Sequence, residues 1–132
     1  LAMMIDYARE RQQFGQPIGE FQLVQQMLAD SALEINRSRL LLHKAAHELD
    51  QGNDARTLIS MVKIDAAEML GRVVDRGVQL FGGMGFCKEL PIERYYRDAR
   101  MYRIFDGTSE IHRSGVARNL LRGGSEAYDI ST

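Results

Sequence analysis

The chain has 132 residues, 45% apolar and 27% charged, and its 17 basic and 18 acidic side chains leave a net charge of −1. That length suits one domain with a buried core. The absence of a long single-sign run excludes an electrostatic footprint for nucleic acid or an anionic membrane, and no apolar stretch reaches the roughly 20 residues of a membrane span.

Residues 1–14 read as helical, with Leu1, Met4, Ile5 and Ala8 on a short apolar face. The pattern is already running at Leu1, so a larger protein with a part upstream is expected. Gly15-Gln16-Pro17 breaks this helix, because proline lacks an N–H and restricts the residue before it. From about Phe21 to Gln51 runs the longest helical signal. Leu28, Ile35, Leu42 and Leu49 recur every seven residues, flanked by Val24, Ser31, Ser38 and Ala45. That pattern is a narrow apolar seam with small partners, as in a bundle helix. Gly52-Asn53 ends it, and Asp54 is placed to cap the next helix.

The second long helix is expected from about Ala55 to Phe81, with Leu58, Val62, Ala66, Met69, Val73, Gly77 and Leu80 on one stripe. Gly82-Gly83-Met84-Gly85 ends it and opens a loop through Pro91; a short helix follows over Ile92 to Ile104. After an Asp106-Gly107 turn, Thr108 or Ser109 caps a last helix to about Arg122, with Glu110 in its first turn and Arg118 and Arg122 near its end. Gly123-Gly124 closes that helix, leaving a loose tail over about 124–132. No segment reads as a strand. The expected fold is all-α: an antiparallel, up-and-down four-helix bundle with an additional short helix, in a single domain over 1–132.

Most polar clusters have ordinary readings. His43 and His47 share a helical face but lack the glutamate of an H-E-x-x-H metal motif. Leu40, Lys44 and Ser109 stand three before the three histidines, which excludes a di-iron Glu-x-x-His pair, so no metal is expected. Cys87, the one cysteine, excludes an intrachain disulfide, fits a reducing compartment, and has no acid or histidine arranged for thiol catalysis. Gly82-Gly83-x-Gly85 follows no strand and lacks the dinucleotide spacing, so taken alone it is a helix end.

Asp106 is different. It sits directly before the Gly-Thr-Ser helix start, on a tight turn beside free backbone N–H donors, which suits proton abstraction next to a polarised carbonyl. Arg11 with Phe14, Gln22 after Phe21, and Gln79 before Gly82-Gly83 each put polar or aromatic groups at a helix end. Together they suggest a polar ligand lying across several helix ends.

Four ordered stretches carry a family likeness: residues 6–18, Phe21-Gln22, residues 79–86 and residues 96–113. Over nearly its whole length the chain resembles the C-terminal helical domain of the flavin-dependent acyl-CoA dehydrogenases. The resemblance implies a three-domain, homo-oligomeric enzyme (dimer or tetramer) in which FAD lies between domains and across a subunit interface. Arg11, Phe14 and Gln22 match FAD-contacting positions; arginine suits a pyrophosphate because its planar donors stay charged and fork onto oxygens. Gln79, Gly82 and Gly83 match the segment that approaches the neighbouring subunit's cofactor, and Thr108 and Glu110 match contacts just after the catalytic turn.

Asp106 falls where many members carry the base that removes a proton alpha to an acyl-CoA thioester, with Asp106 and Gly107 beside the substrate. The backbone N–H of that residue helps polarise the carbonyl. Most members have glutamate there; aspartate is one methylene shorter. The resemblance also implies electron-transfer flavoprotein as acceptor, and a bacterial cytoplasm or mitochondrial matrix as location. Alternatives from the same residues are an oxidase relative acting on acyl-CoA or a nitroalkane, a base upstream of Leu1, and a non-catalytic helical oligomerisation module.

Overall fold

The structure is a computed structural model in which residues 1–124 are described; apart from Gly124, the expected loose tail lies outside them. Helix α1 (Ala2–Glu10) leads into strands β1 (Gln12–Gln13) and β2 (Gln16–Pro17), then a 3-10 turn over Ile18–Glu20. Helices α2 (Gln22–Asp50) and α3 (Arg56–Phe81) follow, then the single-turn α4 (Gly83–Phe86), α5 (Ile92–Met101) and α6 (Ser109–Gly123). The all-α expectation holds. The correction is local: residues 11–14 are not helical but form a two-stranded antiparallel hairpin pairing Gln12 with Pro17 and Gln13 with Gln16. Its turn needs two left-handed residues in succession, Phe14 at φ 52 and Gly15 at φ 83, the geometry that favours a tight two-residue hairpin.

Helix α3 is central, packing against α1, α2, α4, α5 and α6. Its expected stripe is buried at Val73, Gly77 and Leu80, while Leu58, Val62, Ala66 and Met69 are half-buried. A second set, Ala67, Val74 and Phe81, is also buried, because elements cover α3 on more than one side. The apolar core gathers at its C-terminal end, where Met4, Leu80, Phe81 and Ile92 pack together with Tyr7, Ile18, Val24 and Leu28 against them. The Tyr7 and Phe81 rings lie 4.5 Å apart between centroids, within the range of favourable aromatic pairs. At that end Gly85 is required: a Cβ there would stand 2.6 Å from the Val78 carbonyl oxygen, so only glycine lets α4 fold back on α3.

The α2–α3 seam differs from the expected one. Its centre is Ser31, Ser38 and Ala45, all buried, whereas Leu42 and Leu49 are exposed and Leu28 and Ile35 half-buried. Small side chains let the helix backbones close, and Leu42 and Leu49 overhang an edge that no third helix covers among the described residues. The Ser31 hydroxyl donates to the Met27 carbonyl at 2.7 Å, and Ser38 donates to the Asp65 carboxylate across the seam. Glu34 accepts from Arg72 Nε and Arg76 Nη2, each at 2.6 Å.

Burial pushes the Glu34 carboxyl up, but hydrogen bonds from Arg76 and Arg72 and their charges outweigh it, holding the group below its ordinary value of 4.5. A depressed carboxylate pKa contributes stability above the unfolded value that is lost as pH falls through the folded one. Glu34→Gln is therefore expected to destabilise the protein by about 1–2 kcal/mol at pH 7. In denaturant titrations, the gap between wild type and variant should close as pH drops below 4.5.

Candidate functional site

The expected site residues fall into two groups at different stations along α3. The first stands at its C-terminal end. Arg11 is the first residue after α1, its N–H donating to Tyr7 O at 2.8 Å, and its carbonyl accepts from Ile18 N–H to close the hairpin. Phe14 projects from the hairpin tip, 94% exposed, and meets Phe21 edge-on at 6.1 Å. Gln22, exposed, opens α2 directly after Phe21. Gln79 is exposed on the last turn of α3, and Gly82 ends that helix at φ 59. The Tyr7–Phe81 contact brings these segments together, since Tyr7 lies one helical turn before Arg11 and Phe81 adjoins Gly82.

The second group surrounds Asp106. Chain 102–108 crosses the N-terminal half of α3, where Lys63 donates to the Tyr102 carbonyl and its ammonium lies 5.8 Å from the Phe105 ring centre. Ser109 N–H donates to Arg103 O at 3.2 Å. Between these anchors Asp106 takes φ 53 and Gly107 φ 86; the left-handed region costs a non-glycine residue of order 1 kcal/mol and is sustained only by its surroundings. His112 supplies such support, its Nε2 lying 3.1 Å from Asp106 O and its Nδ1 3.2 Å from Ser60 Oγ. The Asp106 carboxylate is exposed, and neither it nor the Asp106 N–H has a hydrogen-bond partner among the described residues.

Thr108 is the N-cap of α6, its hydroxyl accepting from Ile111 N–H at 3.2 Å. Glu110 is held below its ordinary carboxylate value chiefly by its own backbone N–H, with help from Thr108 and the Arg103 guanidinium 3.7 Å away. Its carboxylate thus complements the helix N-terminus. A wide cleft lies between α3 and α5, lined by Arg72, Asp75, Tyr96, Arg97 and Arg100, and reaches Arg103 at the start of the Asp106 turn. Three of its arginines are already engaged, Arg72 with Glu34, Arg97 with Glu93, and Arg103 with Glu68 and Glu110.

Lys63 touches the Asp106 turn and Ser60 the His112 ring that braces it, whereas Gln79 is 16 residues beyond Lys63 on the same helix. At 1.5 Å per residue the two groups are about 25 Å apart. One copy of the chain gathers each group but not both at one point.

The profile of the acyl-CoA dehydrogenase C-terminal domain matches residues 1–121. The chain belongs to that family. It is 40% identical over 119 residues to cyclohexane-1-carbonyl-CoA dehydrogenase of Geobacter metallireducens, covering 90% of this chain and 31% of that protein. Similarity to the CarC subunit of the caffeyl-CoA reductase–Etf complex of Acetobacterium woodii is 38% over 118 residues, covering 89% and 31%. The solved FAD complex of PigA superposes with a TM-score of 0.88 at 37% identity, over 92% of this chain and 32% of that one. This chain thus spans about a third of the length of the relatives it matches.

Sequence reasoning missed Ser60, Lys63 and His112. His112 stands six residues after Asp106 and four after the cap Thr108, a spacing that returns its ring towards the turn and was open to notice. Ser60 and Lys63 carry no such signal, since they meet the turn across more than 35 residues of chain. Thr108→Ala is expected to lower stability by about 1 kcal/mol in chemical denaturation, the usual cost of an N-cap loss.

Proposed function

We propose that this domain contributes the base turn and part of the cofactor surround of an FAD-dependent acyl-CoA dehydrogenase, with Asp106 as the base. The observation that carries the reading is Asp106 itself. Asp106 is exposed, and its carboxylate and its own N–H have no partner among the described residues, while its carbonyl and those of Tyr102 and Arg103 are held by neighbouring donors. A free carboxylate can take a proton, and a free N–H beside it can hold a developing oxyanion, so one residue serves both ends of an enolising thioester.

The residues present fit the flavin nucleotide. The Arg11 guanidinium is exposed and makes no ion pair among the described residues, so its planar donors are free for phosphate. Phe14 offers an uncovered aromatic face, and a Cβ built on Gly82 or Gly83 meets nothing within 4 Å. Arg11, Phe14, Gln22, Gln79, Gly82 and Gly83 would hold one end of the dinucleotide, and Thr108 and Glu110 the other. When bound, FAD supplies the acceptor for the hydride leaving the substrate's beta carbon. The separation of about 25 Å along α3 supports assembly of each site from two copies of the chain. The exposed Leu33 and Leu40 on α2, at 68% and 70%, leave apolar surface for such copies to cover. Electron-transfer flavoprotein is the proposed acceptor; the CarC relative's name places that protein in a complex with Etf.

In the full-length enzyme Asp106→Asn should cut turnover by about 10²–10⁴-fold, the usual worth of a positioned base, as followed by electron-transfer-flavoprotein-coupled assay. Unchanged turnover would point to an upstream base or a non-catalytic module, and peroxide formation instead of coupled turnover to an oxidase. The 132-residue chain alone should be inactive and should not retain stoichiometric flavin by absorbance. In light scattering it should associate.

A further inference from the structure

We infer that His112 is a positioning residue for the base turn, its imidazole donating from Nε2 to the Asp106 carbonyl and bonding Ser60 on α3 through Nδ1. The inference rests on the reading of Asp106 as the base. Nε2 is 3.1 Å from Asp106 O, and a carbonyl oxygen only accepts, so the proton sits on Nε2. In the neutral ring Nδ1 is then the acceptor, and the Ser60 hydroxyl 3.2 Å away donates to it. The Asp106 carbonyl decides which nitrogen carries the proton, and the Ser60 hydroxyl, able to donate or accept, complements it.

The same ring explains the neighbouring glycine. A Cβ on Gly107 would stand 2.9 Å from His112 Nε2 and 3.4 Å from its Cδ2, so the imidazole fills the space a side chain would need. His112 N–H also donates to Thr108 O at 3.1 Å, which fastens the histidine to the capped first turn of α6. The turn is thus held from α3 and α6 at once while Asp106 keeps its left-handed φ of 53. Aspartate has one fewer methylene than glutamate with which to adjust its reach, so carboxylate placement depends closely on the backbone. Displacement near 1 Å costs on the order of 10²-fold in rate.

The test uses the full-length enzyme with His112→Ala, His112→Gln, His112→Asn and Ser60→Ala, beside Asp106→Asn. Glutamine places an amide N–H near the position of Nε2, and asparagine places one near Nδ1. His112→Ala is expected to lower kcat by on the order of 10²-fold with little change in KM. Glutamine should restore most of the loss and asparagine should not, while both variants lose similar stability in denaturant. Ser60→Ala should reduce kcat less than His112→Ala. In 15N spectra the neutral ring should carry its proton on Nε2. Equal kcat for the glutamine and asparagine variants, or a proton on Nδ1, overturns the inference even where His112→Ala fails to fold. Wild-type turnover by His112→Ala with Asp106→Asn inactive overturns it alone; wild-type turnover by Asp106→Asn overturns the reading beneath it.

Discussion

Everything in this domain is located relative to α3, a helix of 26 residues and so about 39 Å long. A helix of that length is stiff, because each added residue contributes one backbone hydrogen bond for each pair of dihedrals fixed. Its C-terminal end is set by the packing of Met4, Tyr7, Leu80, Phe81 and Ile92. Its first half carries the Asp106 turn through Ser60 and Lys63. The distance between the two groups of candidate site residues is therefore a property of one helix, fixed by backbone hydrogen bonding. Neither group can drift towards the other, which is what makes a ligand spanning them, or a second copy completing each site, the natural arrangement.

The attachment of α2 to α3 follows a different logic. Its centre is made of serine and alanine, with Ser38–Asp65 and the Glu34–Arg72–Arg76 cluster supplying directional contacts. Such a seam fixes register, because each polar group must meet its partner or stand half-buried without one. It also consumes little apolar surface, so leucines that would occupy the core of a closed bundle remain outside. The C-terminal end of α3, next to the Glu34 cluster, uses larger apolar and aromatic side chains and buries them well. The division suits a domain whose hairpin and glycine segment need firm placement while the flank of α2 stays open.

The Asp106 turn, like the hairpin tip at Phe14, holds a non-glycine backbone against its own preference. Glycine at 107 accepts a left-handed conformation without strain, but Asp106 does not. Tyr102, Arg103 and Asp106 each have a carbonyl held by a neighbouring donor. Those contacts fix the turn through backbone acceptors and leave the Asp106 N–H and carboxylate without a partner among the described residues. Chemistry at that residue depends on this asymmetry: the groups that hold the turn are not the groups that would react.

The course of the helices was legible from residue spacing. Apolar periodicity placed α2 and α3 within a residue or two, Gly82 marked the end of α3, and Thr108 proved to be the cap of α6. Local chemistry also singled out Asp106 before a helix start, because a capping threonine after Asp-Gly restricts where the chain can turn. Two kinds of fact needed the folded chain. Residues 11–14 have helical neighbours and polar composition, and only pairing of Gln12 with Pro17 and closure by Ile18 N–H make them a hairpin. Which face of α2 is buried, and which groups hold Asp106, depend on contacts made across 27 to 52 residues of sequence. Sequence determines what is settled within a turn or two of backbone hydrogen bonding. The seam of small residues and the imidazole between Ser60 and Asp106 were decided by tertiary packing, because one partner of each lies on α3 and the other reaches it only when a distant helix docks there.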